Sequence, residues 1–233
     1  MAPLPFKRIL CVEPHPDDML VISAGTAARL CREGGEVFVL TLTTGGAAAA
    51  SREEDEKMRL IRQQESEAAD AVLGIRKGNR RMLPFPTRAL SAHAQAAYEE
   101  ILRSIRAVRP DVVISNPSDR RHLDHNFLGS IIEPAVQQAA EPIRVKELGE
   151  PVVTRLWLGE SCHRPLSDVN VYVDISSVLD LKLKALHTQA SQDGILGSDI
   201  DESVTAVAAF RGHQAGVTYA EAFREVFVYP RPL

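Results

Sequence analysis

The chain has 233 residues, 45% hydrophobic and 25% charged, the make-up of a globular protein rather than a disordered or fibrous one. Its net charge of −4 offers no general basic field, so nucleic acid is not the expected partner. No apolar stretch reaches the roughly 20 residues that span a bilayer, and Met1 to Arg8 lacks the apolar run of a signal peptide, so a cytoplasmic protein without a membrane span is expected.

Arg8 to Val12 is a short apolar run that predicts a central strand, stopped by Pro14-His15-Pro16-Asp17-Asp18. Met19 to Arg32 then predicts a helix that ends at Gly34-Gly35. Glu36 to Thr43 is rich in β-branched residues and predicts the second strand. Gly45 to Ala50 is small and flexible in composition, the make-up of an active-site loop. Ser51 to Leu73 is charged and periodic, with Gly74 as its stop. A short strand at Arg81 to Leu83 precedes the Pro84-Phe85-Pro86 turn. A helix over Ala92 to Val108, a strand over Asp111 to Ser115 and a helix over Phe127 to Ala140 follow. Beyond Glu141 the pattern is less regular. Strands are expected at Val152 to Leu158, Val169 to Ile175 and Glu225 to Tyr229, and a helix at Ser176 to Gln189 with Ser176 as its cap. The alternation predicts an α/β fold: a Rossmann-like, mostly parallel sheet with helices on both faces, in one domain. The three cysteines, Cys11, Cys31 and Cys162, show no CxxC spacing, and such sparse thiols suit a reducing compartment.

Two segments carry the chemistry: His15-Pro16-Asp17-Asp18 after the first strand and His122-Leu123-Asp124-His125 after the strand at Asp111 to Ser115. Loops at the carboxyl ends of parallel strands meet in one crevice, so the two clusters are candidates for a single site. Two His and one Asp make a normal ligand set for catalytic zinc, which keeps one position open. His15, Asp18 and His125 are the expected ligands, with another divalent ion also compatible with these donors. That leaves Asp17 as a general base, His122 as a general acid and Asp124 to orient His122. An Asp pair before a helix is also an ordinary N-cap, and His122 and His125 alone could be exposed polar residues. Two dense His/Asp clusters on two strand ends are not explained by capping.

Taken with the flanking segments, the chain resembles the LmbE-like, or PIG-L-like, family of zinc-dependent N-acetylglucosamine deacetylases. The resemblance runs through His15-Pro16-Asp17-Asp18, Ala24-Gly25-Thr26, Arg62-Gln63-Gln64-Glu65, Leu73-Gly74, Arg109-Pro110-Asp111-Val112-Val113 and His122-Leu123-Asp124-His125. It continues through Val173-Asp174-Ile175, Lys182, Ala185-Leu186, Ser191-Gln192 and Tyr219-Ala220-Glu221-Ala222-Phe223, and so covers almost the whole chain as one deacetylase domain, 1–233. It implies the same roles: His15, Asp18 and His125 on zinc, Asp17 as base, His122 as acid with Asp124 behind it, and an amino sugar or its glycoconjugate as substrate. It also leaves a homo-oligomer open.

Three departures bear on the substrate. Thr87-Arg88 stands where the family often has Asp-Gly, Gln189 where it often has His, and the glycine-rich loop is alanine-rich from Ala47 to Ala50. Arg62 is a candidate to meet a phosphate or hydroxyl of the substrate, and Arg88 to bind an anionic group of it. Against this, Arg62 is spaced to pair with Glu65, and Arg88 could be a solvated surface charge. His93 and His163 have no assigned partner, His187 lies close to the Gln189 position, and His213 is read as part of a late loop near the site. Two further readings are a metal-dependent hydratase or hydrolase on another small substrate and a non-catalytic Rossmann-like binding module. The first strand-helix turn lacks the Gly-x-Gly-x-x-Gly of the latter.

Overall fold

A computed structural model describes residues 2–46, 51–192, 194 and 197–227. Seven strands form one sheet in the order β3-β2-β1-β4-β5-β7-β6. They are β1 (Arg8–Glu13), β2 (Glu36–Thr43), β3 (Arg80–Phe85), β4 (Val112–Ser115), β5 (Arg155–Gly159), β6 (Val171–Asp174) and β7 (Ala220–Val226). The first five are parallel, with Cys11 opposite both Val39 on β2 and Ile114 on β4. β7 runs antiparallel between β5 and β6. The expected mostly parallel α/β sheet is therefore present, with a mixed far edge.

Alternation along β1 separates two cores. Ile9 and Cys11 face the helices α1 (Asp18–Arg32), α2 (Arg52–Leu73), α6 (Leu179–Leu186) and α7 (Ile200–Ala215). Leu10 and Val12 face α3 (Ala94–Val108), α4 (Leu123–Ala139) and the single turn α5 (Val145–Leu148). Burial on both faces explains why the central strands read as continuous apolar runs rather than alternating ones. The chain crosses from β3 to β4 on the other side of β1, so the loops after β1 and β4 diverge. That is the topological switch point, where α/β sheets bind ligands.

Ser51 caps α2 by accepting from the Glu54 amide (3.2 Å), and Gly74 closes it at φ +80°. Of the expected loop Gly45 to Ala50, residues 47–50 lie outside the described residues, as do Tyr229 and Val228 of the expected last strand. That strand begins earlier, at Ala220. α4 begins at Leu123 rather than Phe127, which sets Asp124 and His125 in its first turn. Ser176 does not cap α6; its hydroxyl donates to Asp174 Oδ1 (2.6 Å), and the helix starts only at Leu179. α7 has no counterpart in the sequence reading, because its apolar residues are not confined to one stripe: Ile200, Val204 and Ala208 are buried, but Ala206, Ala209 and Phe210 are exposed. It takes up the Arg211-Gly212-His213 segment, so His213 sits exposed in a last helical turn instead of in a loop by the site.

One buried ion pair joins distant segments. Lys182 Nζ donates to the Val21 carbonyl and to Glu221 Oε1, both at 2.7 Å. Glu221 in turn accepts from the amides of Gly25 (2.9 Å) and Thr26 (2.7 Å) and from the Thr26 hydroxyl (2.6 Å). α6 and β7 thus take hydrogen-bonding groups of α1 about one to two turns beyond Asp18. Burial pushes the Cys11 thiol up to about 12, consistent with an inert core residue. Among the described residues, no helix is long and apolar enough to cross a membrane.

Candidate active site

β1 delivers His15, Asp17 and Asp18 to the switch point, and β4 with the start of α4 delivers His122, Asp124 and His125. Asp18 sits between two imidazoles: its Oδ2 lies 3.1 Å from His15 Nδ1 and its Oδ1 lies 3.2 Å from His125 Nε2. The rings of His15, His122 and His125 are 4.8 to 5.1 Å apart by centroid. Each of these three histidines offers a ligand atom within 4.8 Å of the others. Nitrogen and carboxylate donors thus converge on one point, and the donor chemistry fits a zinc-type ion. His122 Nδ1 is buried with no hydrogen-bond partner.

The cap reading does not hold for Asp17, while Asp18 Oδ2 does accept a backbone amide, that of His15 at 2.9 Å. Asp17 makes no side-chain cap bond to α1. Its place is taken by Glu13 at the end of β1, whose Oε2 accepts the Met19 amide at 2.8 Å. Glu13 is itself held by Thr41 Oγ1 and Arg80 Nη1, each at 2.6 Å, and Arg80 forks onto Asp70. This buried network frees Asp17 and Asp18 to face the cleft. The sequence reading missed it, since Glu13 and Arg80 are 67 residues apart.

Asp124 was expected behind His122, but its carboxylate lies against His15. Oδ2 is 3.1 Å from His15 Nε2 and accepts the Arg88 amide at 2.6 Å, while Oδ1 accepts the Leu90 amide at 3.2 Å. With Nε2 engaged by Asp124, His15 presents Nδ1 to the cluster. Burial opposes a charge on His15, but the contacts with Asp124 and Asp18 outweigh it and lift its pKa to about 10. Burial also raises Asp18, yet His125 and His15 outweigh it and hold the carboxyl down at about 2. His122 is lowered, by burial first and then by the neighbouring His15 and His125.

Arg62 is 1% exposed, with both terminal guanidinium nitrogens engaged by protein groups and its Nε buried without a partner. It pairs with Asp17 Oδ1 (3.0 Å) and Glu65 Oε2 (3.3 Å), and donates to Gln189 Oε1 (3.0 Å). The expected Glu65 partnership is present, and Asp17 and Gln189 are added to it, which sets Arg62 beneath Asp17 rather than on an open rim. Burial raises Asp17, with Arg62 acting in the opposite direction. Gly45, at φ +74°, passes close by: a Cβ there would sit 3.1 Å from Arg62 Nε.

The cleft over this cluster, about 370 Å³, is also lined by Thr87, Arg88, Asn116, His163, Arg164 and Gln192. Arg88 holds φ +65°, a left-handed conformation that costs a side-chain-bearing residue roughly 1–2 kcal/mol. Asn116 Oδ1 is buried without a partner while its amide donates to the Pro117 and His125 carbonyls. Two other histidines are accounted for elsewhere: His93 stacks on Phe85, and His187 pairs with Asp201 on the surface.

A His/Asp cluster of metal-ligand type at the switch point of a parallel α/β sheet defines the class of this protein. Within that class the chain belongs to the PIG-L (GlcNAc-PI de-N-acetylase) family, which residues 10–136 match. It is 30% identical to a diacetylchitobiose deacetylase from Thermococcus kodakarensis, over 94% of this chain and 83% of that one. Among solved structures, it is similar to an N,N'-diacetylchitobiose deacetylase from Pyrococcus horikoshii complexed with an inhibitor. That match has a TM-score of 0.80 and 25% identity, and covers 98% of this chain and 88% of that one. The 4-carboxy-2-hydroxymuconate hydratase GalB from Pseudomonas putida superposes with a TM-score of 0.77 at 22% identity, covering 97% and 98%. That likeness concerns the fold alone.

Proposed function

We propose that this chain is a zinc-dependent N-deacetylase that releases acetate from an N-acetylated amino sugar or its glycoconjugate. The observation that carries the reading is the convergence of His15, Asp18 and His125 beside the carboxylate of Asp17. The relatives described as deacetylases of acetylated amino sugars support the substrate class.

In this reading His15, Asp18 and His125 hold the ion. Bound there, zinc would supply a Lewis acid for the acyl carbonyl and lower the pKa of the attacking water. Asp17 takes the proton from that water as its oxygen bonds to the acyl carbon. His122 gives a proton to the amide nitrogen as the C–N bond breaks, so the products are acetate and a free amine. Asp124 keeps His15 in the tautomer and orientation that a ligand needs. Arg62 holds Asp17 in place from below, and the fixed groups lower the barrier by removing reorganisation.

The direct test is metal analysis of the purified protein together with acetate release from N-acetyl amino sugars, with and without chelator. About one zinc per chain and chelator-sensitive release are expected, because one His₂Asp site holds a single ion. A protein that takes up no metal would overturn the reading.

A further inference from the structure

We infer that the substrate carries an anionic oxygen group, a carboxylate or a phosphate, and that Arg88 is the residue that recognises it. This rests on the deacetylase reading of the same cleft and adds a specificity to it.

Among the described residues, three arginines have a left-handed backbone: Arg88, Arg109 and Arg144. Two have guanidinium partners. Arg109 donates to the Pro151 carbonyl (3.2 Å), and Arg144 pairs with Glu99 and Glu147, each at 2.6 Å. Among the described residues, the Arg88 guanidinium has no hydrogen-bond or ion-pair partner, and it lines the cleft. Its backbone is already fixed, because its amide is held by the buried Asp124. The side chain therefore starts from an anchored point at the cleft wall.

The remaining charges of the cleft do not satisfy it. Arg62 is committed to Asp17, Glu65 and Gln189. Among the described residues, the one acid on the rim, Asp119, is taken by Arg164 and by the Arg121 amide. Arg164 and His163 sit on a loop whose base is clamped: Arg211 forks onto Glu160 at 2.6 Å and donates to the Leu166 carbonyl, while Glu160 accepts the Leu166 amide. Among the described residues, the wall outside the His/Asp cluster thus carries one guanidinium without a partner, on a fixed backbone, in a chain whose net charge is −4. A planar guanidinium in that position matches a carboxylate or phosphate.

The test compares zinc-loaded wild type with Arg88→Gly and Arg88→Lys. Glycine suits a positive φ, so the Gly variant keeps the backbone and the amide bond to Asp124. Substrates are neutral methyl N-acetylglucosaminide, N-acetylglucosamine 6-phosphate, N-acetylglucosamine 1-phosphate and an N-acetylglucosaminide of a hydroxycarboxylic acid. The wild type is expected to favour at least one anionic compound by about tenfold or more in kcat/KM. Arg88→Gly should remove most of that ratio through KM, and Arg88→Lys should restore part of it. The preferred compound separates phosphate from carboxylate recognition. A wild type that prefers the neutral glycoside, or a ratio unchanged in Arg88→Gly, overturns the inference.

Calorimetric binding of glucosamine 6-phosphate, glucosamine 1-phosphate and the deacetylated hydroxycarboxylic acid glycoside, each against methyl glucosaminide, decides the point without turnover. Tighter binding of an anionic ligand that is lost in Arg88→Gly supports the site even if no acetate is released. Equal binding of all four by the wild type overturns it.

Discussion

Asp124 Oδ2 lies 3.1 Å from His15 Nε2, and the same oxygen takes the Arg88 amide. A carboxylate on the far nitrogen of a ligating imidazole fixes its tautomer, and losing such a partner typically weakens metal binding about 10–100-fold. Asp124→Asn is therefore expected to lower zinc affinity by that order, measured by competition with a chromophoric chelator. If Asp124 acted on His122 instead, kcat would fall while zinc affinity stayed at the wild-type value.

Asp17→Asn should separate metal binding from turnover. Zinc content is expected to stay near wild type, while kcat falls by about 10²–10⁴-fold, the usual contribution of general acid–base catalysis. Full activity in this variant would remove Asp17 from the base role. His125→Ala is the complementary change, and normal zinc content there would break the ligand assignment.

The pair beneath the cleft has its own signature. Arg62→Met leaves Asp17 and Glu65 without their shared cation. Removing one partner of a buried pair costs about 3–5 kcal/mol, so a clear drop in Tm is expected together with lower kcat. A variant with unchanged Tm would show that Arg62 does not stabilise the carboxylates around it.

Metal-free protein should be sensitive to alkali. In that form His15 is raised from 6.5 to about 10; burial opposes the charge, but Asp124 and Asp18 outweigh it. A raised folded-state pKa stabilises fully below the unfolded value and is lost as pH rises through the folded one. Tm of the chelator-treated protein is expected to fall between about pH 6.5 and 10, and to fall less in His15→Gln. An identical pH profile for the two proteins would refute the contribution.

Lys182→Met tests the link between α1, α6 and β7. It leaves the Glu221 carboxylate buried without its cation, for which a loss of about 3–5 kcal/mol is expected in denaturant unfolding. A loss under 1 kcal/mol, roughly that of an exposed pair, would show that the Gly25 and Thr26 donors satisfy Glu221 alone.

The sequence by itself determined the α/β alternation, because buried parallel strands must be short apolar runs and their crossover helices must be periodic and capped, as at Ser51 and Gly74. It also placed both His/Asp clusters at strand ends, since residue type and local spacing are written along the chain. It did not determine α7, whose apolar residues lack a single face, nor the early start of α4 that puts Asp124 and His125 in a helical turn. Only the tertiary structure decided which group touches which: Glu13 in the cap position of α1, Asp124 on His15 rather than His122, and Arg62 beneath Asp17. Glu13 caps α1 at an amide only 6 residues on but is held there by Arg80, 67 positions away, and the other two contacts join residues tens to more than a hundred positions apart. Their partners are set by the strand order and by the satisfaction of buried polar groups, neither of which leaves a local pattern in the chain.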